Sequence, residues 1–193
     1  MLMVPKESSN LVTLVGIDPG SETLGFAVLF IDIASMIIES SHAMTLTGSK
    51  LAGKDSWNSI IHGDRASRIF AHEEKLLELF NYYQPLVICS EAPFINNRFP
   101  MAGIALTEVL CGIKSAVIRY DVWKELYVIP PSVVKRAVGA PGNADKHVMK
   151  EKVTHLAELN YNGNVPIHLL DEHSIDALAV AYGKFNSLKY NTI

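Results

Sequence analysis

Several things are scarce in this sequence, and each scarcity excludes something. Two cysteines in 193 residues, Cys89 and Cys111, cannot make a disulfide framework and cannot by themselves hold zinc. Both sit in apolar runs, so both are expected to be buried free thiols in a reducing compartment. No apolar run reaches the roughly 18 residues that cross a membrane. Residues 1–10 contain an acid and a proline and lack a long apolar stretch, so a frayed lead is expected there, not a signal or transit peptide. Internal repeats, low-complexity tracts and linkers are missing too, which points to a single domain over 1–193. The place of action expected is the cytoplasm, of a bacterium or of a cell infected by a bacteriophage. Positive charge is not in excess: 17 basic side chains face 20 acidic ones, a net charge of -3. The chain as a whole does not announce a polyanion binder.

What is present is an ordinary globular composition, 49% hydrophobic and 19% charged, in a chain long enough to bury a core. Its charge is uneven. Between 114 and 152 lie Lys114, Arg119, Lys124, Lys135, Arg136, Lys146, Lys150 and Lys152 against Asp121, Glu125, Asp145 and Glu151. That local basic face suits phosphate, although a solvated helix surface would look the same.

The pattern of elements is mixed. A continuous β-branched run predicts a buried strand over 11–18, and a tight turn leads to a second arm over 23–32 and a third strand over 34–46. Residues 47–63 lack periodicity and read as a loop. Spacings of three, four and seven between Ile69, Leu76, Leu77 and Phe80 predict a helix over 64–85, stopped by Pro85. Further strands are predicted at 86–94 and 125–131, and helices at 101–120, 132–139, 144–160 and 171–185. The helix at 101–120 is apolar round most of its circumference and is expected to be buried. Ser132 and Asp171 are the expected N-caps of their helices. Short connections make the first three strands antiparallel; helical crossovers make the later ones parallel to the first. The expected class is α/β, a mixed five-stranded sheet flanked by helices.

Two of these strands end in a carboxylate: Asp18 in "GIDPG" and Glu91 in "SEAPF". Ligands of such sheets bind beyond the carboxyl ends of the parallel strands. Neighbouring strands are about 4.8 Å apart, so the two acids would repel unless a cation lies between them or one takes a proton. In the last helix, His173 and Asp176 project on one face, and Glu172 shares a face with Asp176. Taken alone, Asp18 is a turn residue, a phosphate-loop residue or a metal ligand. A His-x-x-Asp pair is by itself an ordinary surface pair. Three distant segments converging on one edge favour metal binding, and hard cations such as Mg²⁺ take oxygen ligands.

The segments "GIDPGSETLGFAVL", "VICSEAPF", "PPSVVKRAVGAPGNADKHVM" and "HSIDALAVAY" resemble, in order and spacing, the RuvC-type Holliday-junction resolvases of the ribonuclease H-like (retroviral integrase) superfamily. The resemblance covers about 11–185. It implies a ribonuclease H-like fold and a homodimer that cuts four-way DNA junctions with Mg²⁺ or Mn²⁺, two ions per site. It implies Asp18, Glu91, His173 and Asp176 as catalytic metal ligands. Many members have Asp where His173 stands, and Glu172 precedes it here, so either His173 or Glu172 could serve the second ion. The family's DNA-contacting lysines fall on Lys135 and on Lys146, the latter beside the cut phosphate, with Arg136 adjoining. Phe94 matches the aromatic used at the junction centre, and Arg98 and Phe99 share its loop. The stretch 47–63 exceeds what the family needs. Gly20 and Ser21 are expected to leave room for a DNA backbone, and helix 101–120 to form the dimer interface.

Three other classes of protein share parts of this pattern. An actin-like or sugar-kinase ATPase lobe opens similarly but requires a second lobe and phosphate loop. A related nuclease acting on flaps, other branched DNA or RNA–DNA hybrids would carry the same carboxylates. A non-catalytic DNA-binding relic would not be expected to retain all four positions. Any branch-migration partner is left unassigned by the sequence.

Overall fold

The computed structural model describes residues 10–53, 56–93 and 100–190. The expectation of a frayed lead therefore falls almost entirely outside the described residues, as do Phe94, Arg98 and Phe99. Five strands form one sheet: β1 (Leu11–Asp18), β2 (Thr23–Asp32), β3 (Ile37–Thr47), β4 (Val87–Glu91) and β5 (Leu126–Ile129). Their order is β3-β2-β1-β4-β5, antiparallel for the first three and parallel from β1 to β4 to β5. The mixed sheet is as expected. The helices are α1 (Gly48–Ala52), α2 (Trp57–His62), α3 (Asp64–Tyr83), α4 (Pro100–Tyr120), α5 (Pro131–Ala137), α6 (Lys146–Thr154) and α7 (Glu172–Tyr190).

Alternation along the strands divides the core into two layers. Val15, Ile17, Phe26, Val28, Phe30 and Ile88 pack against Leu76 and Phe80 of α3 and Val109 and Ile113 of α4. Leu14, Ala27, Leu29 and Cys89 face α7, with α5 and α6 beside it. The same parity decides the chemistry. Asp18 follows Leu14 and Gly16 on the α7 side of β1, and Glu91 follows Cys89 on the α7 side of β4. Ile17 pairs with Ser90, so the next residues, Asp18 and Glu91, leave the sheet side by side.

Helix α7 lies unusually close to the sheet because two strand positions have no side chain. A Cβ on Gly16 would stand 2.5 Å from the Ala177 carbonyl and the Ala181 amide; one on Gly25 would overlap the His173 carbonyl. The neighbours are backbone and cannot rotate away. Gly25→Ala is expected to cost about 1–3 kcal/mol, as overpacking does, and to lift the first turn of α7 from Asp18. Denaturant unfolding and cleavage assays check this; a variant as stable and active as the parent would refute the close-approach role.

The structure corrects several expectations. Residues 47–63 are not a loop: α1 and α2 occupy most of them, short helices without long-range apolar periodicity, held by packing on α3. Ser132 is not a cap; Pro130 takes that position and Pro131 starts α5, its fixed φ suiting the first turn. Helix α6 ends at Thr154, not near 160, and a 3-10 turn over Ala157–Leu159 follows, closed by Asn160 in the left-handed region. Asp145 caps α6, accepting from the Val148 amide at 2.9 Å. Asp171 caps α7 as expected, accepting from the Ser174 amide at 2.9 Å. Helix α4 is buried on one face only: Met101, Ile104, Cys111 and Ile118 lie on an exposed stripe, so Cys111 is not the buried thiol expected. Cys89 is buried, donating to the Val15 and Val180 carbonyls, and burial pushes its thiol pKa well up. Gly20 serves its own turn, where a Cβ would overlap the Thr23 carbonyl. Among the described residues no helix is long and apolar enough to cross a membrane.

Candidate active site

Each acid reaches the site by a different route. Asp18 is delivered by the end of β1, before the Pro19-Gly20 turn; Glu91 by the end of β4; Asp176 and His173 by the first turns of α7, docked through Ile175, Leu178 and Ala179. The His173 ring bridges two elements. Its Nδ1 lies 2.8 Å from Asp18 Oδ2 and its Nε2 lies 2.7 Å from Thr23 Oγ1. The Asp18 side chain is only 13% exposed, so this acid is committed to the interior of the edge and not to a solvated turn.

The electrostatics show which charges are uncompensated. Burial raises the Glu91 pKa to about 7, helped by repulsion from Asp18 and Asp176 and opposed by Lys135. Burial likewise raises Asp176 to about 6, with Asp18 adding repulsion and Lys146 and His173 opposing. His173 is pushed up, first by its hydrogen bond to Asp18. None of the ion pairs among the described residues includes Glu91 or Asp176. Shifts of this kind, from desolvation plus neighbouring like charges in a cleft, mark functional sites.

Beside the acids is a cavity of about 590 Å³, lined by Glu91 and Asp176, the prolines Pro130 and Pro131, Met149, and the side chains of Lys135 and Lys146. Both lysines therefore line the same cavity as two of the acids. Lys135 donates to the Ala144 carbonyl at 2.7 Å. Lys146, 69% exposed, pairs with Glu172 at 2.6 Å, and that pairing pulls the Glu172 pKa down. Glu172 thus faces a lysine, and of these two neighbours it is His173 that touches Asp18. Arg136 is exposed and donates to the Ser132 carbonyl on its own helix at 3.2 Å, outside the cavity lining.

Two residues escaped sequence reasoning. Thr23 looks like an ordinary strand start, and Glu22 like a turn acid. Yet Glu22 fastens the turn after Asp18: its Oε1 accepts from Ser49 Oγ at 2.5 Å, its Oε2 lies 3.3 Å from Arg68 Nε, and its carbonyl accepts from the Gly48 amide at 2.6 Å. Helices α1 and α3 so hold the turn after Asp18, which gives the stretch 47–63 a structural part to play. No local signal in the sequence marks these partners.

The donor set, three carboxylates and an imidazole around one edge, is of the kind that divalent cations take. Among the described residues no three His, Cys, Asp or Glu side chains are drawn together tightly enough to cage an ion as they stand.

Comparison with known proteins bears on what such a site is for. The family model for crossover junction endodeoxyribonuclease RuvC matches residues 14–183. The chain belongs to this family. RuvC family members are metal-dependent nucleases, and this chain is accordingly an endodeoxyribonuclease, a hydrolase of DNA. A crossover junction endodeoxyribonuclease RuvC of Rickettsia felis is 29% identical over 169 residues, 88% of this chain and 94% of that one. One from Polynucleobacter necessarius is 31% identical over 148 residues, 76% of each. Among solved structures, RuvC of Thermus thermophilus in complex with a Holliday junction substrate superposes with a TM-score of 0.66 at 18% identity, covering 94% of this chain and 98% of that one. The yeast mitochondrial Holliday junction resolvase Ydc2 gives 0.57 at 14% identity, covering 92% and 82%. Those two likenesses concern the fold, and they agree with the ribonuclease H-like sheet expected from sequence. The matched span of the RuvC model includes Asp18, Glu91, Lys135, Lys146, His173 and Asp176.

Proposed function

We propose that this chain, as one nuclease domain, resolves four-way DNA junctions by hydrolysing phosphodiesters at the edge built from Asp18, Glu91, His173 and Asp176. The observation that carries the reading is the pair of carboxylates at the ends of adjacent parallel strands, with raised pKa values at Glu91 and Asp176 and a lysine-rimmed cavity alongside. Asp18, Glu91, Asp176 and His173 would hold Mg²⁺ or Mn²⁺, two ions per site. Glu172, held by Lys146, is the lesser candidate. When bound, such ions supply a nucleophilic water at neutral pH and stabilise charge on the leaving oxygen. The residues of the chain do the rest. Lys146 exchanges Glu172 for a phosphate oxygen, placing the strand over the acids. Lys135, fixed on Ala144, anchors the neighbouring backbone without reading sequence. The apolar walls of the cavity exclude water from the strand lodged there. Arg136, with Phe94 and Arg98 beyond the described residues, would extend the DNA contact. The curated relatives named above are bacterial, and a cytoplasmic site of action in bacterial or phage-infected cells suits a DNA substrate.

A synthetic four-way junction, a flap, an RNA–DNA hybrid and plain duplex, each incubated with Mg²⁺ or Mn²⁺ and mapped for nicks, test the substrate. Symmetric nicks near the junction centre are expected. Cleavage of the hybrid alone, or of flaps in preference to junctions, would transfer the site to the related-nuclease reading.

Paired nicks call for two sites related by a two-fold axis. Met101 (65% exposed), Ile104 (50%) and Ile118 (60%) form an apolar stripe along α4, which supports that helix as the dimer face. Ile104→Lys is expected to give a monomer in sedimentation at micromolar concentration and to uncouple the two nicks. A dimer unchanged by that substitution would move the interface elsewhere.

A further inference from the structure

The ring of His173 is engaged at both nitrogens, and the two partners differ in kind. Nδ1 is 2.8 Å from a carboxylate oxygen of Asp18, itself assigned to metal binding; Nε2 is 2.7 Å from the hydroxyl of Thr23, which has no such part. Small divalent ions hold ligands in octahedral geometry at about 2.0–2.1 Å, which puts neighbouring ligand atoms about 3 Å apart. The gap between Asp18 Oδ2 and His173 Nδ1 is already of that size. Nδ1 is therefore the nitrogen turned to Asp18, where an ion would be held, and Nε2 is the one turned to Thr23.

We propose that Thr23 is a positioning residue for the metal centre: its hydroxyl accepts the Nε2–H of His173, so that the nitrogen left to an ion, once the proton now donated to Asp18 is given up, is Nδ1. This rests on the metal reading of the site. Metal-binding histidines depend on such a partner for their other nitrogen, which sets both tautomer and ring orientation. Thr23 is well placed to be a fixed acceptor. Its carbonyl packs against Gly20 across the turn, and its neighbour Glu22 is tied to Ser49, Arg68 and Gly48. Glu172 Oε1, the other acceptor near Nε2, is 3.7 Å away and held by Lys146 at 2.6 Å, so it does not replace the hydroxyl.

The test is Mn²⁺ titration of the full chain without DNA, followed by the loss of free-Mn²⁺ paramagnetic resonance, with cleavage measured in parallel. Thr23→Val removes the hydroxyl and is expected to weaken Mn²⁺ binding about 10–100-fold, the range seen on loss of such partners. Thr23→Ser, which keeps the hydroxyl, is expected to bind as the parent does. In a His173→Ala background, Thr23→Val is expected to change nothing further, because the hydroxyl acts through the imidazole. Melting in EDTA identifies any variant that is merely misfolded, and Thr23→Ser with the double variant carries the test in that case. Parent-like Mn²⁺ binding by Thr23→Val, or an equal loss with and without His173, would overturn the proposal. If Asp18→Asn leaves Mn²⁺ binding intact, the metal reading itself fails, a result distinguishable from failure at Thr23 alone.

Discussion

Asp18→Asn is expected to abolish junction cleavage while junction binding persists. The amide keeps the size and shape of the carboxylate, so β1, its turn and the lysines of the cavity remain as they are. What is lost is the charge that faces Glu91, Asp176 and His173 together. Partners that only orient a metal ligand are worth 10–100-fold when removed; removal of a central ligand is expected to exceed about 100-fold in rate. Binding is expected to persist because Lys135 and Lys146, which line the same cavity, keep their charge for the DNA backbone. Single-turnover cleavage and gel-shift measurements on one junction separate the two. Appreciable cleavage by the variant in Mg²⁺ would remove Asp18 from the chemistry.

Glu91→Gln is expected to stabilise the metal-free protein at alkaline pH and to reverse that effect when Mn²⁺ is present. Glu91 has a folded-state pKa of about 7 against an ordinary 4.5, because its charge is desolvated and faces Asp18 and Asp176. An acid with a raised folded pKa holds its proton more tightly when folded, so it costs nothing below its unfolded value. The cost grows as pH rises from about 4.5 through about 7 and is complete above that. At 1.36 kcal/mol per pKa unit, shared among coupled groups, the penalty is about 1–3 kcal/mol. For a chain of this size that is about 3–10 °C in melting temperature. Buried His42 and His72, whose pKa values burial lowers, act in the opposite direction on acidification. The informative quantity is therefore the difference between variant and parent: positive at pH 8 in EDTA, near zero at pH 4. With Mn²⁺ the parent gains a ligand that the variant lacks, and the difference turns negative. A difference independent of pH would mean that Glu91 is not the uncompensated charge described.

Much of this was legible in order along the chain. β1 and β2 have the bounds that their apolar runs predict, because central strands are buried along their whole length and the run is the signal. The two strand-end acids, the cap at Asp171 and the faces of His173 and Asp176 follow from periods of two and 3.6. Edge and satellite elements were less legible. Helices α1 and α2 are too short to show a period, and α6 stops early at a 3-10 turn that no proline or glycine announces. The apolar character of α4 suggested burial all round, whereas part of it is left on the surface. Hydrophobicity states what prefers to leave water, and not whether its own chain or another molecule covers it.

The sequence by itself determined the sheet class, the carboxylates that end β1 and β4 and the family pattern, since these rest on local periodicity and on residue types in fixed order. The tertiary structure alone decided their company. It set Lys146 on Glu172 and His173 between Asp18 and Thr23, and let α7 settle on Gly16 and Gly25. It also fastened the turn after Asp18 to α1 and α3 through Glu22. Those pairings span up to 155 residues of chain, and they depend on helix placement at the scale of an ångström, which no local pattern encodes.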